Sequence, residues 1–271
     1  MKRIVFCLAL VCGALWAQSA QAHVVLLVHG YLGDALSWER SGVNDVLAAN
    51  GWPRAGVIVP GPAGPALPPP VPTGPNRAYS IELPSTAPLA LQSDMLLAAL
   101  RALETRHANE PITLVGHSAG GVVARMALVR GGPGRVVRLV TIAAPNLGTE
   151  RALQALDATH GGGPFGLVRD VFGGGAYRAV KHSWPVLMDL APAIPGSTLH
   201  WLNGHRHPEI RYVSIVRGAG FGFGDLLVPG FSQDLNNVPP LHGRAVTYVV
   251  PAEHNLVPPD GTMIAQVLAG A

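Results

Sequence analysis

The chain has 271 residues, 48% of them hydrophobic and only 13% charged, with a formal net charge of +3. That length and apolar content suit one large α/β domain with a sizeable core and exclude a disordered chain. The positive charge is small, and no basic cluster or stacking motif accompanies it, which excludes a nucleic-acid partner.

Residues 1–22 read as a secretory leader that is removed. Lys2 and Arg3 form a basic start, residues 4–17 are an apolar run too short to span a bilayer comfortably, and Ala20-Gln21-Ala22 is an A-x-A cleavage signal. The mature chain is expected to begin at His23, to be secreted or periplasmic, and to carry no transmembrane segment. Cleavage takes away both cysteines, Cys7 and Cys12, so neither a thiol nor a disulfide remains in the mature chain. It also takes away Lys2 and Arg3, which brings the formal charge closer to zero.

Residues 24–28 (VVLLV) are the first expected strand, apolar throughout as a strand covered on both faces should be. They run directly into His29-Gly30-Tyr31-Leu32-Gly33. A short helix is expected over 44–50, closed by Gly51, and a second strand over 57–59. Residues 60–75 hold eight prolines and read as a rigid surface connection near the active-site face. Residues 89–107 read as an amphipathic helix, with Leu96, Leu100 and Leu103 on one stripe and Asp94, Arg101 and Glu104 off it.

The stretch that organises the rest is ITLVGHSAGGVVARMALVRGG, residues 112–132. Residues 112–115 are a buried strand, Gly116-His117-Ser118-Ala119-Gly120 a sharp turn, and Val122, Val123, Met126, Ala127 and Val129 recur at helical spacing until Gly131-Gly132. Strand, turn with Ser118 at its apex, helix: this is the context in which G-x-S-x-G is a nucleophile elbow rather than a capped turn. The turn forces Ser118 into a strained backbone, and the helix N-terminus aims free N–H groups over it. Further strands are expected over 136–142, 211–216 and 245–250, and a closing helix over 262–268. Strands alternate with helical segments, so the sheet should be mostly parallel with helices on both faces. The interval 146–209 holds helix-like pieces at 151–159 and 177–190 and glycine runs at 161–163 and 173–175; it reads as a cap or lid. Residues 23–271 thus form one domain.

A serine hydroxyl needs a histidine to take its proton and a carboxylate to orient that histidine. Ligands of a parallel sheet collect at the carboxyl ends of its strands, so the partners should follow later strands. Of 11 histidines, His254 lies on the loop after the last strand and is the expected base. His242 precedes that strand, at the wrong end. His182, His200, His205 and His207 read as surface or packing residues, and His29 and His117 as structural. The expected acid is Asp225, in a glycine-rich loop after the strand ending at Val216. Asp234 is the runner-up, although a turn cap explains it more naturally. The oxyanion donors should be the backbone N–H groups of Tyr31 and Ala119.

His29-Gly30-Tyr31-Leu32-Gly33, Gly116-His117-Ser118-Ala119-Gly120, Thr141-Ile142-Ala143-Ala144-Pro145, Asp225-Leu226-Leu227-Val228-Pro229 and Glu253-His254-Asn255-Leu256 follow one another in an order that resembles α/β-hydrolase-fold lipases and esterases, particularly secreted bacterial triacylglycerol lipases. The resemblance covers nearly all of residues 23–271. It implies an α/β-hydrolase fold and hydrolysis of carboxylic esters through an acyl-enzyme, with no redox or organic cofactor. It also implies a small-molecule or lipid ester substrate, met in some members at a lipid–water interface. Some members hold a structural calcium, but no second paired carboxylate places one here. The same triad serves acyltransferases, thioesterases and polyester depolymerases, and the scaffold can also be a catalytically silent binding module.

Overall fold

The computed structural model describes residues 23–70, 74–159, 182–218 and 224–270. The leader (1–22), the glycine runs at 161–163 and 173–175, and the start of the expected 177–190 helix lie outside the described residues. Among the described residues, seven strands form one sheet: β1 (His23–Val28), β2 (Arg54–Ile58), β3 (Asn76–Ile81), β4 (Ile112–His117), β5 (Val136–Ile142), β6 (Arg211–Arg217) and β7 (Ala245–Val250). Their order is β2-β3-β1-β4-β5-β6-β7, and every neighbouring pair is parallel. Parallel pairing requires crossover segments that cover both faces, which is what the apolar strands demand.

Alternate residues of β1 feed two cores. Val24, Leu26 and Val28 join α3 (Leu89–Arg106), α4 (Ala119–Gly131), α5 (Glu150–Thr159), α6 (Trp184–Leu190) and α7 (Thr198–Gly204) on one face. Val25 and Leu27 join α1 (Ser37–Arg40), α2 (Val43–Ala49) and α9 (Pro258–Ala269) on the other. A further short helix, α8 (Gly230–Gln233), lies between β6 and β7. The stripe Leu96, Leu100, Leu103 is buried as its spacing predicts, while Arg101 is exposed.

The register decides where the site forms. Val28 stands beside Gly116, His117 beside Ile142, and Arg217 beside Val250. The loops leaving β1, β4, β5, β6 and β7 therefore emerge along one edge, at the carboxyl ends of the strands.

Several elements differ from the sequence reading. Strand β2 begins at Arg54, and Val59 beyond its end makes only an isolated bridge to Ala66. Strand β3 was not expected: NRAYSI mixes Asn, Arg and Ser with apolar residues, and only its place between β2 and β1 buries Ala78, Tyr79, Ser80 and Ile81. Helix α7 was likewise unread; Ser197 caps it by accepting the His200 N–H at 3.2 Å. Helix α9 starts at Pro258 rather than 262, because prolines fit the first turn and Asp260 reaches back to the Val257 N–H at 2.9 Å. The described part of the proline-rich connection leaves the carboxyl edge after β2 and returns to the amino edge to begin β3. On the way Leu67 packs on the core and the Pro68 carbonyl accepts from Arg106 at 2.5 Å.

Candidate active site

Between β4 and α4 the backbone turns at Ser118, which has φ 51° and ψ −129°. A non-glycine residue pays for such a conformation in strain and is held there by its surroundings; here the Ser118 N–H donates to the Ile142 carbonyl at 2.8 Å. The flanking glycines follow from space. A Cβ on Gly116 would lie 2.5 Å from Gly121 Cα, and one on Gly120 would lie 2.3 Å from the His29 carbonyl oxygen. Neither site accepts a side chain.

His254, on the loop after β7, brings its Nε2 to 2.8 Å from Ser118 Oγ. Its Nδ1 is 2.9 Å from Asp225 Oδ2. With Asp225 ionised, Nδ1 must donate, so Nε2 is left to accept the serine proton. The Asp225 side chain is fully enclosed, yet its carboxylate is completely hydrogen-bonded. Oδ1 accepts the Leu227 and Val228 N–H groups, both at 2.8 Å, and Oδ2 accepts from His254 and from Gln233 Nε2 at 3.1 Å. Burial works to raise its pKa, but the bonds from His254, Val228 and Leu227 outweigh burial and hold it below the usual carboxylate range. The three residues singled out from the sequence thus meet in one hydrogen-bonded row.

The base loop is gripped from two sides. His117 Nε2 lies 2.8 Å from the His254 carbonyl. Burial, then the nearby His254, push the His117 pKa down to about 3, so the ring is neutral and donates through Nε2. Arg217 Nη2 donates to the Asn255 carbonyl at 3.0 Å and pairs with Asp260 at 2.6 and 2.8 Å, both side chains being wholly buried. Asp260 in turn accepts the Val257 N–H.

The loop after β1 is also tied down. His29 Nε2 accepts the Leu83 N–H at 3.0 Å, and its Nδ1 donates to the Gly30 carbonyl at 3.1 Å; burial lowers its pKa. This agrees with the structural reading of His29. Tyr31 and Ser118 line the same cavity, and Ala119, directly after the serine, is the first residue of α4.

The cavity measures about 520 Å³, within the usual range for small-molecule sites. Ala152 and Ala155 of α5 and Leu187 and Leu190 of α6 form an apolar wall, so the interval between β5 and β6 supplies one side. No described residue of the proline-rich connection lines it. Asp234 caps a 3-10 turn instead, accepting from the Asn236 N–H at 3.0 Å and Thr247 Oγ1 at 2.9 Å. His182, His200, His205 and His242 are exposed, and His207 is a buried packing residue.

Three residues of the site were not singled out from the sequence: Gln233, Arg217 and Asp260. Arg217 offered one signal, a cation closing an apolar strand. Asp260 offered another, a carboxylate in the first turn after two prolines. Gln233 offered none.

Among the described residues, no group of three or more His, Cys, Asp or Glu is placed to hold a metal ion, and no helix is long and apolar enough to cross a membrane. A family model described as the alpha/beta hydrolase fold matches residues 23–174. No curated protein matches the sequence. Solved structures do match in shape. The product of gene lin2722 from Listeria innocua shares 16% identity at a TM-score of 0.63, over 92% of this chain and 94% of that one. The mature form of the Bacillus licheniformis lipase BlEst2 shares 17% identity at a TM-score of 0.63, over 93% and 92%. A lipase-esterase related protein from Clostridium acetobutylicum shares 12% at a TM-score of 0.58, over 93% and 95%.

Proposed function

The chain belongs to the alpha/beta hydrolase family, and we propose that it is a serine hydrolase that cleaves carboxylic esters, lipid-like ones in particular. Ser118 Oγ attacks the ester carbonyl carbon while His254 Nε2 takes its proton across the 2.8 Å bond. Asp225 keeps the imidazole in the required tautomer and stabilises the imidazolium. The oxyanion receives the backbone N–H groups of Tyr31 and Ala119, each donor of this kind being worth about 2.7–4 kcal/mol of barrier. His254 then passes the proton to the departing alkoxide, and water activated by the same imidazole releases the acid from the acyl-enzyme.

The observation that carries this reading is the continuous Ser118–His254–Asp225 row, mounted on a strained turn that opens into an apolar-walled cavity. The described parts of interval 146–209 contribute the wall of that cavity through Ala152, Ala155, Leu187 and Leu190, and these apolar side chains favour an acyl chain. That two similar folds are described as a lipase and as a lipase-esterase related protein fits the same chemistry. Residues 1–22 direct the chain to export, placing the enzyme where it meets external esters.

Labelling with a fluorophosphonate probe tests the enzyme directly: the parent protein is labelled and Ser118→Ala is not. Folded parent that resists the probe would remove the proposal in favour of a binding module. Hydrolysis of p-nitrophenyl esters of increasing chain length, set against emulsified triglyceride, then locates the substrate. A peak at short soluble esters with no action on the emulsion would count against the lipid-like assignment.

A further inference from the structure

Gln233, the last residue of α8, is 1% exposed. Its side chain joins the acid loop to the end of β6. Nε2 donates to Asp225 Oδ2 at 3.1 Å and to the Val228 carbonyl at 2.8 Å. Oε1 accepts the Arg217 N–H at 2.7 Å. Its main-chain carbonyl accepts from Asn146 Nδ2 at 3.0 Å, which ties the same residue to the loop after β5. Yet Gln233 does not line the cavity.

These contacts admit one orientation of the amide. A flip would set Oε1 against the Asp225 carboxylate and Nε2 against the Arg217 N–H, acceptor against acceptor and donor against donor. The group therefore presents a neutral donor to Oδ2, the oxygen that also accepts His254 Nδ1. With Leu227 and Val228 on Oδ1, two donors stand on each oxygen, and the plane of the carboxylate is set.

We propose that Gln233 is a positioning residue for the Ser118–His254–Asp225 row: by occupying the second acceptor site of Asp225 Oδ2 it fixes the carboxylate plane and leaves a single site aimed at the imidazole. This rests on the hydrolase reading above. A glutamine is suited to the place because it donates without adding charge. A carboxylate there would add a second negative charge beside Asp225, and a hydrocarbon would leave Oδ2 with an unfilled acceptor site. The charged and titratable groups around the row are His254, His117 and Arg217, the last paired with Asp260.

The test compares the parent with Gln233→Glu and Gln233→Met, using the pH profile of kcat/KM on a p-nitrophenyl ester together with thermal unfolding. In Gln233→Glu the added carboxylate favours the imidazolium, so the acidic limb of the profile moves to higher pH by about one unit. In Gln233→Met kcat falls about tenfold while KM stays within about twofold, because orientation and not substrate binding is lost. A folded Gln233→Glu whose profile superimposes on the parent, with only its melting temperature lowered, would overturn the proposal. Should neither variant fold, the parent answers alone. Its Gln233 side-chain amide, followed by nitrogen-15 NMR, shifts with the midpoint of the acidic limb, and a resonance that ignores pH overturns the assignment. Parent enzyme that fails to react with fluorophosphonate points to the hydrolase reading itself, whereas reactive parent with an unmoved Gln233→Glu profile removes only the role of Gln233.

Discussion

Replacing Asp225 by Asn tests the row where it is most exacting. The new side chain keeps an oxygen for the Leu227 and Val228 N–H groups, which now bond to Oδ1 at 2.8 Å. Its amide nitrogen then occupies the place of Oδ2, facing two donors, His254 Nδ1 and Gln233 Nε2. The imidazole escapes that clash by moving its proton to Nε2, where it faces Ser118 Oγ as a donor and can no longer act as base. The loss of the correct tautomer costs about ten-thousand-fold in kcat in a Ser-His-Asp system, about 5 kcal/mol of transition-state stabilisation. Stability suffers less, by about 1–3 kcal/mol for the buried donor left without an acceptor. The assay is kcat on a p-nitrophenyl ester with parallel thermal unfolding, and Asp234→Asn serves as control. Asp234 caps a turn and accepts from Thr247 Oγ1, and Asn caps about as well as Asp, so its replacement leaves stability nearly unchanged and kcat within a few-fold. Near-parental turnover in Asp225→Asn, with Asp234→Asn the damaging change, would refute the assignment of the acid.

Gly30→Ala would set a Cβ 2.8 Å from Ser118 Cβ; the loop carrying Tyr31 must retreat, and a displaced oxyanion donor lowers kcat by at least about a hundredfold with little change in urea-unfolding midpoint. Arg217→Met leaves Asp260 buried without its cation and releases the Asn255 carbonyl, so urea unfolding should report a loss of about 3–5 kcal/mol. Acid should unfold the protein through its buried histidines. Burial, aided by Arg138 for His23 and by Arg125 for His207, lowers both rings to about 4, and His117 lies at about 3. Folded values below the unfolded 6.5 mean that the unfolded chain binds more protons, so stability is full above about pH 6.5 and drains away as pH falls toward about 4. The slope of unfolding free energy against pH should reach at least about three protons, because burial lowers His29 and His107 as well, and His23→Gln should flatten it by about one; Trp52, whose ring packs on His23, gives the fluorescence readout. A slope of zero across that window would contradict the buried-histidine account.

What could be read in advance was local. The elbow declared itself because strand, glycine-flanked serine and helix are contiguous, and the turn needs those glycines for the reason the residues suggested, the absence of room for a Cβ. Asp225 and His254, which the structure brings together with Ser118, were singled out by their position after late strands, since parallel topology directs such loops to one edge. Strand β3 escaped because its polar letters give no alternation, and its burial comes from neighbours more than a dozen residues away. Gln233 escaped for a deeper reason. An amide on a four-residue helix looks like any surface residue until Arg217, Asn146 and Asp225 are brought round it. The Arg217–Asp260 pair links residues 43 positions apart, and no spacing rule joins them.

The distance along the chain between Ser118 and His254 has a consequence in time. Ser118 and His254 are separated by 136 positions, and the loop bearing His254 is secured only once α9 closes against α2, where Gly261 nestles on Val46 and the Val43 carbonyl. At ribosomal rates the interval amounts to about 7–27 s. Throughout it the Ser118 hydroxyl is without the His254 imidazole, so on the proposed reading hydrolytic power follows only after α9 has packed.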